Sequence, residues 1–351
     1  MEKVNIKEAF FKNNNEYKKI GGQAIIEGVM MRGPNSCAMA VRKASGEIEI
    51  VDMEMKPESA KSKIEKLPII RGVISFVDSL ITGTRTLMKS AEISGADLED
   101  EQPSKFEIYL TQKFGEKKII TAMIYFSVVI ALLLSVGLFM VLPTAVGHLF
   151  TPLLTDAASG EANMWALSLM EGLVRMAIFL AYIYLVSKYK DIQRVFQYHG
   201  AEHKTINCFE AGEELTVENV KGHTRIHKRC GTSFLFIVMA ISMIVFLFVQ
   251  TDVFWERLLS RVLLVPVIAG VSYEFLKFAG KSGSKFVYAL SFPGLCLQRA
   301  TTKEPDEGQI ETAIAAVQRV LKRENEGDKA PNEAAPIETE VTPPEVTAVE
   351  S

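Results

Sequence analysis

The sequence predicts a mainly α polytopic membrane protein, with about four transmembrane helices and a small N-terminal β-containing cytoplasmic unit. Three observations carry this expectation. Mean hydropathy is only +0.16, yet the apolar residues gather in four blocks, each near the ~20 residues that a bilayer core requires. Lysine and arginine are spread unevenly over the connections between those blocks. Ahead of the first block, strand-like runs alternate with turn residues.

Residues 1–20 are polar and lysine-rich, do not read as a signal peptide and are expected to be flexible. Residues 21–66 form the β-containing unit. Gly21-Gly22 and Gly33-Pro34 are turn signals, and residues 37–43 and 47–53 read as strands joined at Ala44-Ser45-Gly46. Gln23, Glu27 and Arg32 punctuate the apolar run between the two turn signals, facing a site or solvent. Residues 67–116 hold an amphipathic helix, striped by Ile70, Ile74, Val77 and Ile81, followed by a polar linker.

The four-span bundle is placed over residues 117–300, with spans at 119–142, 164–187, 234–250 and 258–279. The connection over 144–163 has no Lys or Arg and that over 251–257 has one. The loop 188–232 has eight: Lys188, Lys190, Arg194, Lys204, Lys221, Arg225, Lys228 and Arg229. The positive-inside rule therefore makes both termini and this loop cytoplasmic. Cys37, Cys208, Cys230 and Cys296 then fall in cytoplasmic parts, where free thiols are expected. Residues 285–297 are apolar enough to lie along the membrane or pack under the bundle. Residues 301–323 read as a C-terminal amphipathic helix capped by Asp306, striped by Ile310, Ile314, Val317 and Leu321. Residues 324–351, acidic and without aromatics, read as a disordered tail.

Four of the five histidines crowd the loop, as His199-Gly-Ala-Glu202-His203 and His223-Thr-Arg-Ile-His227. On a helix, residues four apart share a face and can bind one ion. His199, His203, His223 and His227 are therefore candidate ligands of a divalent metal, zinc foremost, with Glu202 as candidate general base. One shared site and two adjacent metals both fit this pattern, and Cys230 and Cys208 stand close enough to join. The H-x-x-E-H string is also that of the inverzincin peptidases, but no distal acidic ligand is identifiable. The blander readings are a basic surface loop that meets lipid headgroups or nucleic acid, and a satisfied buried histidine network.

Glu171, Arg175 and Arg261 fall within spans, where charges are costly and pair inside a bundle. A structural ion-pair network is expected of them, with an ion or substrate path as the alternative. Glu274, near the cytoplasmic end of the last span, is a candidate supplementary carboxylate for the histidine site. No phosphate-cradling glycine loop, serine nucleophile elbow or base-stacking aromatic pattern is present, and no nucleic acid is expected as a partner.

The strings GGQAIIEGVMMRGP (residues 21–34), YHGAEHKTINCFE (198–210), HKRCGTSF (227–234) and PGLCLQRATTKEPDE (293–307) resemble the YqhQ family of bacterial membrane proteins. The likeness spans residues 21–322, and Lys228 departs from an expected proline. It implies a polytopic inner (plasma) membrane protein of a family described as predicted metal-dependent enzymes, and implies no reaction. The leading expectation is a metal-dependent, hydrolase-like enzyme with its site at the cytoplasmic membrane face. The alternative is a membrane adaptor with a structural metal or a lipid-binding basic loop, and a transporter is a distant third. Membrane lipids and a homo-oligomer are the expected partners.

Overall fold

The computed structural model describes residues 20–55, 62–95, 126–127, 129–155, 163–251 and 253–326. The expected flexible N-terminus up to residue 19, the expected linker over 96–116, the start of the expected bundle over 117–125 and the tail from 327 lie outside them.

The β-containing unit is a four-stranded antiparallel meander, ordered β1 (Gly21–Ile25), β2 (Gly28–Arg32), β3 (Cys37–Arg42) and β4 (Ile48–Met53). The two expected strands are β3 and β4, and the apolar run before them folds into β1 and β2 with Ile25 opposite Gly28. Alternation sorts the side chains. Val29, Met31, Ala38 and Ala40 face one core, while Met30, Cys37, Met39 and Val41 face another. Ile93, of helix α1 (Ile70–Ser94), packs on the second face.

Three helices are long and apolar enough to cross a bilayer: α2 (Val129–Leu153), α3 (Met164–Val186) and the apolar run within α7 (Phe254–Lys281). The expected third span forms α6 (Gly231–Phe246), of 16 residues. At 1.5 Å per residue it reaches roughly 24 Å, short of the ~30 Å hydrocarbon core. Among the described residues there are thus three full-length candidates and one shorter apolar helix, and the count of four is not confirmed. Residues 119–125 and 128 of the expected first span lie outside the described residues, and α2 continues beyond its expected end at Leu142 through Pro143 to Leu153. A π-turn at Gly137–Val141 takes carbonyls off the regular ladder, and that of Phe139 accepts from Arg175 Nε at 2.7 Å.

The intramembrane charges pair differently from their spacing. Glu171 takes Arg257 Nη1 at 3.1 Å and also Arg261, while Arg175 turns away to the Phe139 carbonyl. All four side chains are buried. Glu274 belongs to another structure altogether. Its carboxylate pairs with Arg71, accepting from Nε at 2.6 Å, where α1 crosses α7 with Gly72 against Gly270.

The expected loop 188–232 is mostly helix: α4 (Lys190–Ala211), ended by left-handed Gly212, and the short α5 (Val217–Lys221). Helix α8 (Lys285–Thr301) runs beside α6, with Gly294 against Ser233. Helix α9 (Glu307–Glu326) starts where expected, in a reciprocal cap. Asp306 Oδ1 accepts from Gln309 N at 2.8 Å, and Gln309 Oε1 accepts from Asp306 N at 3.0 Å. Its buried Ile310, Ile314 and Val317 join Tyr198, Ala201 and Ile206 of α4 against the first sheet face. Basic residues of the expected loop bind this lobe together: Arg194 holds Glu27 of the β1–β2 turn, Lys204 holds Glu304 and Lys221 holds Glu307.

Candidate metal centre at the α4–α6 junction

Helix α4 carries the H-G-A-E-H string on the turn nearest the N-terminus of α6. Gly200 makes that position possible. A Cβ there would lie 2.0 Å from the Lys303 carbonyl oxygen, so only glycine lets α4 come this close to the chain after α8. On the same turn His199 and His203 point one way, with ring centroids 4.4 Å apart.

Both imidazoles are held from behind. His199 Nδ1 lies 2.8 Å from the Thr301 carbonyl oxygen, and His203 Nδ1 lies 2.6 Å from that of Arg225. A carbonyl can only accept, so each Nδ1 carries a proton and each Nε2 faces inward, where the neutral ring would offer a lone pair to a metal. Cys230 Sγ completes the group, 3.2 Å from His199 Nε2. Ligand atoms of His199, His203 and Cys230 all lie within 4.8 Å of one another. Glu202 stands beside them, its Oε2 3.8 Å from His199 Nε2 and 3.9 Å from His203 Nε2. Strand β1 presses on that carboxylate, because a Cβ at Gly22 would meet Glu202 Cγ at 2.8 Å.

The electrostatics of the group are those of a thiolate in need of a cation. Burial pushes the Cys230 thiol up, but His199 and His203 outweigh it and hold the thiol well below its ordinary range. Burial likewise pulls His199 down, and the Cys230 charge with its hydrogen bond overrides it, raising His199 to about 9. Cys230 is also the N-cap of α6, accepting from Thr232 N at 3.3 Å, where the helix dipole favours negative charge.

The second histidine pair does not converge on one point. Residues after Gly222 leave the helix, so four positions cover far more than one turn, and His223 and His227 part company. His227 is buried beside the first pair, its ring 5.8 Å from that of His203, but its Nε2 goes to Glu210 at 3.3 Å. Burial lowers His227, and Glu210 opposes that. His223 lies elsewhere, with Nε2 3.0 Å from Glu213 and Cys208 nearby in a separate group of three.

Gln298 fixes the segment that carries Cys230. Its Oε1 accepts from His227 N at 2.9 Å, and its Nε2 donates to His227 O and Ser233 Oγ, both at 2.8 Å. Neither Gln298 nor Thr301 was singled out by residue type, since one acts on backbone and the other through its carbonyl. A cavity of about 330 Å³ opens over the group, lined by Gly21, Gln23, Arg32, Ser79, Thr82 and Arg229 among others.

These residues fall mostly within one known family. The family model described as protein of unknown function DUF1385 matches residues 67–323. The uncharacterized protein YqhQ of Bacillus subtilis (strain 168) is 36% identical over 312 residues, which covers 87% of this chain and 92% of that relative. The chain belongs to the YqhQ family. No solved structure matches it. Every member of the buried group, from His199 to Thr301, lies inside the span shared with the family model, whereas Gly22 and the sheet precede it. Neither family description carries an activity, so the chemistry has to be read from the residues.

Proposed function

We propose that this chain is a metal-dependent, hydrolase-like enzyme of the inner (plasma) membrane, with His199, His203 and Cys230 as its zinc ligands and Glu202 as its general base. The supporting observation is the convergence of two inward-facing Nε2 atoms and one thiolate beside a free-standing carboxylate. Zinc bonds of about 2.0–2.3 Å place tetrahedral ligand atoms roughly 3.3–3.8 Å apart, close to the 3.2 Å between His199 Nε2 and Cys230 Sγ. Imidazole nitrogens and thiolates are donors that zinc takes, and catalytic zinc sites hold the ion by three protein ligands with a fourth position open. Bound there, zinc would supply Lewis acidity and acidify a water molecule.

The chain's own residues do the rest. The Thr301 and Arg225 carbonyls fix both imidazole tautomers, and the cavity admits a substrate. Glu202 is placed to take a proton from a water nucleophile and return it to a leaving group. The eight Lys and Arg between α3 and α6 support a cytoplasmic location, and it requires the short α6 to cross as a fourth span. Phe248, just past α6, meets Trp165 at the start of α3 with ring centroids 5.6 Å apart, so the end of α6 lies level with the start of α3. Both termini and the site then share the cytoplasmic side.

Metal analysis of the full chain in detergent tests this reading. One zinc per chain is expected, retained in Glu202→Gln and lost in His203→Ala and Cys230→Ser. Protein that folds without stoichiometric metal would sink it. In that event the 3.2 Å His199–Cys230 contact supports a second reading, a thiolate–imidazolium nucleophile. A closed four-ligand ion indifferent to Glu202→Gln in every assay would instead favour a non-enzymatic adaptor.

A further inference from the structure

Helix α1 is amphipathic the wrong way round for a helix in water. Its buried residues are small or polar, among them Gly83, Thr86, Ser90 and Ser94, and they face the sheet. Its large apolar side chains face out, with Val77 47%, Leu80 56% and Ile81 49% exposed. A contiguous apolar surface of this kind marks an interaction face. What covers it is indicated by its neighbours. The helix packs on α7, one of the three bilayer-length helices, through Gly72 and Gly270, so its apolar face continues the lipid-facing surface of α7.

The same helix borders the metal centre. Exposed Ser79 and half-buried Thr82 stand at the cavity mouth opposite Gly231, the first residue of α6. About one turn from Ser79 and from Gly231, Phe76 and Phe234 meet with ring centroids 6.4 Å apart, beside the residues that line the cavity. Phe234 begins the uncharged apolar segment of α6, only four residues beyond Cys230, or about 6 Å along a helix. The candidate ligands therefore sit at headgroup depth. Two arginines line the cavity: Arg32, salt-bridged to Asp78 at 2.7 Å, and Arg229, paired with Glu210.

We infer that α1 lies in the lipid and that the site takes the headgroup of an anionic phospholipid, its phosphate between Arg32 and Arg229 and its acyl chains leaving over Phe76 and Phe234. This rests on the reading above for the identity of the site, while the binding itself needs only the cavity, the arginines and α1. Arginine suits the task because its planar fork binds phosphate oxygens in pairs.

The test uses the full chain, stripped with a chelator, in phosphatidylcholine nanodiscs containing phosphatidylglycerol with a diazirine near the glycerol end of one acyl chain. Illumination and peptide mapping should find adducts on the outer face, at Val77 or Ile81, and at the mouth, at Phe76 or Phe234. Arg32→Gln should reduce mouth adducts about tenfold, the loss of one charge-assisted hydrogen bond, and leave outer-face adducts unchanged. Asp78→Asn, which frees Arg32, should increase them. Unlabelled α1 overturns the proposal, as does equal mouth labelling by a diazirine phosphatidylcholine. Erasure of mouth adducts by excess glycerol 3-phosphate would assign the cavity to a soluble anion and overturn it too. Because no metal is present, none of these outcomes depends on whether zinc binds.

Discussion

The two histidine pairs have the same spacing and opposite fates. His199 and His203 ride one turn of α4, anchored through Nδ1 to two backbone carbonyls, and their Nε2 atoms meet at Cys230. His223 and His227 sit in irregular chain and end on separate carboxylates, Glu213 and Glu210. Spacing of i and i+4 is thus information about a helix, and it lapses where the helix ends. Burial adds the second lesson. The converging pair has its protons assigned by fixed carbonyls, while the diverging pair has its own acids, which suits it for structure.

Removing members of each pair should separate them. The largest effect is expected from His203→Ala, which removes a proposed ligand and should weaken zinc binding by more than the ~10–100-fold typical of losing an outer-shell partner. Isothermal titration of chelated protein measures it, and an unchanged affinity would erase the distinction between the pairs. Next comes Gly200→Ala, whose Cβ must displace the Lys303 backbone. It should cost about 1–3 kcal/mol or more and separate His199 from its Thr301 acceptor. A thermal melt at wild-type Tm would show that α4 does not need the close approach.

The acid of the diverging pair gives a pH signature. Burial pushes Glu210 up, but His227 and Arg229 hold it at about 2, against an ordinary 4.5. Its folded value is the lower one, so its stabilisation is complete above about 4.5 and is lost as pH falls from there towards 2. Glu210→Gln should flatten acid unfolding across that window, and a profile identical to wild type would deny the contact. The smallest effect belongs to His223→Ala. It breaks a contact to a half-exposed carboxylate and should change stability by no more than about 0.5 kcal/mol, with zinc at the first site untouched.

Much of this was legible in the chain. The Asp306 cap and the Ile310, Ile314, Val317 stripe described α9 because capping and amphipathicity are local. The H-x-x-E-H string located the candidate site because three of its side chains share one turn. The expected ion-pair network holds for Glu171 and Arg261, but a charge's partner in a bundle is chosen across helices, so Arg257 takes the place that i, i+4 spacing suggested for Arg175, and Glu274, placed by proximity to the loop, pairs with Arg71 instead. The four-span count is not confirmed at α6, because an apolar run does not reveal how much of it the helix uses. Cys230 could be noticed by type, but its choice over His223 depended on where the chain leaves α5.

One contact sets a clock. His199 Nδ1 finds its acceptor 102 residues later, at Thr301. Between them lie α6, α7 and α8. A nascent chain carrying His199, His203 and Cys230 already has every candidate ligand, yet it lacks the carbonyl that sets the first imidazole. The candidate centre is therefore complete only when the end of α8 has folded back against α4.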